Sequence, residues 1–279
     1  MRASTARERA RAELTREIKQ EARRQLAEAG ADGLSLRAVA RELGMVSSAL
    51  YRYFPSRDDL LTALIIDAYN AVGSAAEAAV AGSGPGPRDR WAAACRAIRA
   101  WALAHPHEYA LIYGSPVPGY RAPEATVGPA SRVPLAFVSI LRDAAGGAPP
   151  ASAGAPAAPG GSPPAGAGAP PASNGAPAAP GGALAAQAAA LSAALSAALA
   201  PDAALAPDAA LAPDAAGAPD GADRALAVPA DMLVRAVIAW TQLFGMISFE
   251  LFGQFVGSFE PADALFEHAV AQMATLVGL

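Results

Sequence analysis

The stretch LSLRAVARELGMVSSALYRYFPSRDDLLTAL, Leu34 to Leu64, decides how this chain is to be read. Ser35 stands ahead of LRAVAREL (36–43) where an N-cap belongs, its hydroxyl free to accept from the unpaired N–H groups of a first turn. Gly44 follows as a C′ glycine, the left-handed residue that closes a helix. A second, short helix starts at Ser47 and is stopped by Pro55, and Ser56 with Asp59 forms a capping-box-like pair for the next. A helix from Leu36, a tight Gly44-Met45 turn and a short helix over 47–54 make a helix-turn-helix.

In that motif the second helix enters the major groove and its first residues approach base edges. Small residues allow the approach, and Ser47, Ser48 and Ala49 are small. Leu50 is expected to face a core with Val39, Leu43 and Phe54. Tyr51, Arg52 and Tyr53 then flank the groove, where hydroxyls and a guanidinium reach phosphates or bases. Arg57 sits beside the next helix's N-terminus, whose free N–H groups also favour anions. Spacing alone leaves a second reading open: two packed helices with a solvated basic face.

Outward from the motif, residues 5–29 keep a 3.6-residue apolar period through Leu14, Ile18, Ala22, Leu26 and Ala29, so a first helix is expected there. Helices are also expected over 60–81, from Asp89 to about His105, over the short apolar 108–113, over 133–143, over 231–255 and from Pro261 to the end. GSGPGP (82–87) breaks the chain, and GSPVPGYRAP (114–123) reads as an irregular loop. No segment alternates as a strand would. Residues 144–223 are almost wholly Ala, Pro, Gly, Ser and Leu, with five Asp and no aromatic residue. Such a composition buries too little to offset its ordering entropy, so a disordered insertion is expected, with a local helix at 183–200. Its ALAPDA units repeat with period six, and their prolines prevent one continuous helix.

Of 279 residues 53% are hydrophobic, but alanine dominates the figure. Net charge is −4, split as +3 over residues 1–60 (12 Lys/Arg, 9 Asp/Glu) and −7 over the rest (9 and 16). A basic head on an acidic body points the head toward a polyanion. The single cysteine, Cys95, excludes an internal disulfide and a cysteine-based zinc cluster, which suits a reducing cytoplasm. It lies on an apolar helical face and reads as a buried, inert thiol. The charged N-terminus is no signal peptide, and no membrane span is expected. His105 and His107 read as loop or surface residues without the company a metal needs. No triad order, P-loop or HExxH motif occurs, so neither enzyme nor cofactor is expected.

The residues quoted above, with their A-x-x-L-G turn, A-L-Y-x-x-F core and P-S-R-x-x-L-L, resemble the DNA-binding segment of the TetR family of bacterial transcriptional regulators over roughly 12–65. HPHEYALIYGSPVPGYRAP (105–123) and AWTQLFGMISFELFG (239–253) are similar to the C-terminal domain of a TetR subgroup named for Trp, His and Gly. Trp240 and Gly245 match, while the His position holds Phe244. Two departures lie in the head. A cap serine common in the family is replaced by Val46, so capping is expected to shift to Ser47, and a frequent His is replaced by Tyr53.

The resemblance implies an all-α chain: a three-helix helix-turn-helix DNA-binding domain (1–60), then a helical ligand-binding and dimerisation domain (61–279) that carries the insertion 144–223. It implies phosphate contacts from Ser35, Tyr51, Tyr53 and Arg57, and base contacts from Ser47, Ser48 and Arg52. Trp91, Trp101, Tyr109, Tyr113, Phe137, Trp240 and Phe244, with Met246 and Phe249, are candidate pocket residues. Arg99, Arg121 or Glu250 would hold a ligand's polar end. Expected partners are double-stranded DNA with a near-palindromic operator, a small, largely apolar effector, and a second copy joined through 231–256 and 262–278. A regulator without ligand, and an interaction protein acting through 144–223, are the alternatives.

Overall fold

The computed structural model describes residues 6–147, 182–198 and 228–279; side chains beyond Leu191 in the middle segment are not included. Most of 144–223 therefore lies outside the described residues. Those described are helical, without a strand. The helices are α1 Ala6–Ala29, α2 Leu36–Glu42, α3 Ser47–Leu50, α4 Arg57–Gly82, α5 Pro87–Ala104, α6 Pro106–Tyr113, α7 Val127–Gly147, α8 Gly182–Ala198, α9 Ala230–Leu251 and α10 Asp263–Val277.

Local chemistry explains the head. Ser35 Oγ accepts from the Ala38 N–H at 3.4 Å, capping α2. At its other end Gly44 N donates to Arg41 O (3.1 Å) and Met45 N to Ala40 O (2.8 Å), a Schellman closure. It requires φ of +64° at Gly44, which a side chain would strain. At α4, Ser56 Oγ accepts from the Asp59 N–H at 3.1 Å and donates to the Asp59 carboxylate at 2.7 Å. The expected shift of capping to Ser47 does not occur: Val46 is the N-cap of α3 and no side chain bonds there. α3 is also shorter than expected, one turn to Leu50 followed by turn residues 51–53. Burial then holds it: Leu50 is inaccessible among Ile18, Ala22, Leu36, Val39, Phe54, Leu60 and Leu61. Such a leucine contributes about 1.5–3 kcal/mol.

A second core fills the body, and α4 belongs to both. Its Leu60, Leu61, Leu64 and Ile65 face the head core, while Ala68, Val72 and Ala76 face the body core with α5, α7, α9 and α10. The loop after α6 also reaches the head: Val117 and Tyr120 pack against its core, and Tyr120 Oη meets Thr62 Oγ1 at 2.9 Å. α7 begins at Val127, six residues before the expected start, although Pro134 lies inside it. Tertiary contacts supply what the proline removes. Arg132 bonds Asn70, Ser74 and both Glu77 oxygens on α4. Gly73 makes room for it, since a Cβ there would lie 2.7 Å from Arg132 Cβ.

α8 falls inside the alanine-rich stretch where a local helix was expected, and it packs on α9. α9 ends at Leu251, four residues before the expected end, and turns occupy 252–258. By length and composition α9 could cross a membrane, contrary to the expectation of no such segment. In this fold it serves as a body helix, burying Leu233, Ala239, Leu243, Phe244 and Ile247.

Candidate nucleic-acid interface and effector cavity

α2, the Gly44 turn and α3 hold Ser47, Ser48, Tyr51 and Arg52 together at the end of the head. Ser48, Tyr51 and Arg52 are exposed and Ser47 is half-buried. Leu50 and Phe54, locked in the core, set the direction in which these side chains leave the helix. Tyr53 is partly buried against the core, and the Arg11 guanidinium of α1 lies 5.2 Å from its ring centre. Arg11 is a residue that the motif did not single out. Its placement follows from the packing of α1 across the motif, which no local pattern announces. Arg37 and Arg52 make no ion pair among the described residues, which leaves two exposed cations beside the serines.

Two expected phosphate partners have internal work. The Ser35 hydroxyl is the α2 cap, and the Ser35 N–H donates to Gln25 Oε1 at 3.2 Å. The Arg57 guanidinium turns inward: Nη2 donates to Ala31 O at 2.7 Å and Nε to Leu34 O at 3.2 Å. It thus satisfies carbonyls in the α1–α2 turn.

In the body a cavity of about 340 Å³ lies between α5, α7, α8 and α9. Trp91, Phe137 and Trp240 line it with Pro134, Leu141, Leu191 and neighbouring apolar residues. Of the candidate pocket residues, Trp101, Tyr109, Tyr113 and Phe244 lie elsewhere. Trp101 sits against the His105 ring at 5.5 Å. Phe244 is one step behind the wall, 4.5 Å from Trp240 and 4.3 Å from Tyr113 between ring centres. Tyr109 is fully buried, and its hydroxyl bonds Phe244 O at 3.0 Å and Ser248 Oγ at 2.9 Å. Burial pushes the phenols of Tyr109 and Tyr113 upward, so both stay neutral.

Among the described residues, no charged side chain lines the cavity. Arg99 and Glu250, considered for a ligand's polar end, are instead joined to each other by two bonds of 2.7 and 2.6 Å, and Arg99 also reaches Asp263. Arg121 is exposed outside the wall. Among the described lining residues, the indole N–H of Trp91 is a buried polar group without a partner.

The two regions are connected through α6. Glu108 Oε1 accepts from Arg23 Nε of α1 at 2.8 Å, and Arg23 Nη2 reaches Asp67 of α4 at 2.8 Å. Lys19 joins the same Asp67 at 2.8 Å. His105 lies 3.2 Å from the other Glu108 oxygen and is exposed, as is His107. Among the described residues no group of three His, Cys, Asp or Glu could hold a metal. Cys95 is inaccessible, and burial raises its thiol pKa well above the ordinary value.

A helix-turn-helix head on a helical body with an apolar cavity is the build of a one-component transcriptional regulator. Residues 18–64 match the profile of the tetR family of bacterial regulatory proteins, and residues 91–273 that of the tetracyclin repressor-like C-terminal domain. The second match alone covers more than half of the chain, and the chain belongs to the TetR family, a family of transcriptional regulators and not of enzymes. The HTH-type transcriptional regulator Rv1816 of Mycobacterium tuberculosis (strain ATCC 25618 / H37Rv) is 50% identical over 133 residues, covering 46% of this chain and 56% of that protein. Mb1846 of Mycobacterium bovis gives the same figures. The chain thus spans about half the length of the curated relatives it matches. The crystal structure of the regulatory protein SCO4313 is 32% identical, with a TM-score of 0.63, over 97% of this chain and 100% of that one. A protein of unknown function from Rhodococcus sp. RHA1, 22% identical with a TM-score of 0.55, covers 95% and 93% and shares the fold.

Proposed function

We propose that this chain is a cytoplasmic, homodimeric repressor that leaves its operator when a small, neutral, largely apolar molecule enters the body cavity. Residues 1–60 form the DNA-binding head, 61–279 the ligand-binding and dimerisation body, and 144–223 an insertion in that body. Ser47, Ser48 and Arg52 read bases; Ser35, Tyr51, Tyr53 and Arg57 meet phosphates, Arg57 mainly by holding the turn that positions α2. Arg11 and Arg37 add to the phosphate set.

The observation that carries this reading is the unbroken line of contacts from cavity to head. Trp240 in the wall touches Phe244, Phe244 touches Tyr113 and Tyr109 of α6, and α6 holds α1 through Glu108 and Arg23. A ligand that moves Trp240 shifts α6, and with α6 the angle of the head. Two heads fit successive major grooves at one spacing only, so such a shift weakens binding.

Fluorescence anisotropy tests it, with labelled DNA from upstream of the protein's own coding region and unlabelled random DNA as competitor, at several salt concentrations. Binding of two chains per site that outlasts the competitor supports the repressor; binding no better than to random DNA rejects specific reading of that fragment.

A further inference from the structure

α8 comes from the least promising part of the sequence, yet it forms one wall of the cavity. Its inward positions are Ala188 and Leu191, three residues apart on one side of the helix. Ala188 is buried, and Leu191 is packed against the body core beside Trp91, Phe137 and Trp240. The other three walls belong to the compact body. α5 supplies Trp91, α7 supplies Phe137 and Leu141, and α9 supplies Trp240 and Leu243.

The described side chains of α8 hold by apolar contact. Leu184 is half exposed, Ala186, Gln187, Ala189 and Ala190 face solvent, and the helix carries no charged residue. No hydrogen bond or ion pair is drawn between its described side chains and α9. The remaining walls are cross-tied by polar contacts, such as Arg132 to Glu77 between α7 and α4 and Arg99 to Glu250 between α5 and α9. On α9, Val237 lines the cavity and is still 48% exposed, so the cavity approaches solvent at that residue.

We propose that α8 is a removable wall: it closes the cavity through Leu191, with Ala188 buried one turn before it, and its departure opens the route by which an apolar effector reaches Trp91 and Trp240. The role of the cavity as an effector site rests on the reading above; the role of α8 as its wall does not.

The test uses the full-length chain and two readouts. The first is quenching of tryptophan fluorescence by acrylamide, a neutral quencher; two of the three tryptophans, Trp91 and Trp240, line the cavity. The second is the dissociation rate of Nile red, a neutral apolar dye. Leu191→Asp and Ala188→Asp place a charge against the apolar walls, while Gln187→Asp places it on the exposed side of α8. The inward variants are expected to raise the quenching constant roughly twofold and to speed dye release about tenfold, with Gln187→Asp unchanged. Unchanged quenching and release in both inward variants would overturn the proposal. So would a fall of the thermal midpoint in which all tryptophans become accessible together, because α8 would then be a fixed part of the core. Increased quenching in a protein that binds no dye would keep the wall and reject the cavity as an apolar-ligand site.

Discussion

Arg23 in α1 and Glu108 in α6 meet at 2.8 Å across 85 residues of sequence, and they join the head to the body. Both side chains are largely withdrawn from solvent, with 33% and 15% of their surface exposed. Arg23 keeps Asp67 as a second partner, so Glu108→Gln does not strand a charge. Its cost should be about 1 kcal/mol, read from urea unfolding. The larger effect is expected on coupling: effector should change operator affinity severalfold less in the variant than in the wild type, at unchanged affinity for effector. Undiminished coupling would show that the signal reaches α1 by another route.

Arg57 and Arg52 separate support of the head from reading of DNA. Arg57→Ala leaves the carbonyls of Ala31 and Leu34 without a donor, so head stability should fall by about 1–2 kcal/mol in the absence of any DNA. Arg52 is exposed and without an ion pair, so Arg52→Ala should leave the melting temperature alone. It should cost about 1–3 kcal/mol of operator affinity and relax specificity at one base pair. Arg37→Ala should weaken binding to all sequences and lower the salt slope by about one.

Filling the cavity should uncouple ligand from DNA. Ala236 is part of its lining, and Ala236→Leu adds apolar volume where space already exists. Stability is expected to stay within about 1 kcal/mol of wild type, since the added side chain enters a void rather than a packed core. Operator binding should persist while effector no longer releases it, as measured by anisotropy with and without ligand.

What could be read in advance was local. Ser35, Gly44 and Ser56 act on atoms within five residues, so cap and turn chemistry is written in their neighbourhood. Leu50 and Phe54 followed from the period of short helices around them. The Arg57 partners lie 23 and 26 residues upstream, and no spacing rule connects them. Phe244 and Trp240 are both aromatic and four apart on α9, yet only Trp240 lines the cavity. Which of the two faces it depends on how α9 packs against α6 and α7. α9 is apolar nearly all round, so its period could not say which side is buried. The start of α7 was missed for a similar reason: Pro134 signals a beginning locally, and the Arg132 contacts with α4 override it.

Cys95 gives a reading of global opening. Its thiol is inaccessible, and burial holds its pKa above the ordinary range, so the reactive thiolate is scarce in the folded protein even at mildly alkaline pH. Labelling by a disulfide reagent should therefore be slow and should accelerate with urea in step with global unfolding. In fully unfolded protein it should rise with pH through the ordinary thiol range, about 8.5. Rapid labelling of the native chain without denaturant would mean that the α5 face opens locally.

The exposed stripe on α9 should carry the contact between copies. Ile238, Phe249 and Phe252 are 50%, 54% and 51% exposed, and they follow one face of the helix and its C-terminal turn. Between them lies Gly245, where a Cβ would meet nothing within 4 Å of this chain. A gap of that kind on an apolar face admits another backbone closely, while the opposite face of α9 is already spent on the core. Phe249→Glu and Ile238→Asp should leave the helix content of the monomer intact, because neither side chain is buried within it. Each should shift the sedimentation profile from dimer to monomer at micromolar concentration and weaken operator binding by about two orders of magnitude or more, since two heads would no longer arrive together. A Gly245→Leu variant distinguishes close helix packing from a looser contact: with close packing it should also dissociate the dimer, although its own fold has room for the side chain. Variants that remain dimeric would place the contact on α10 alone.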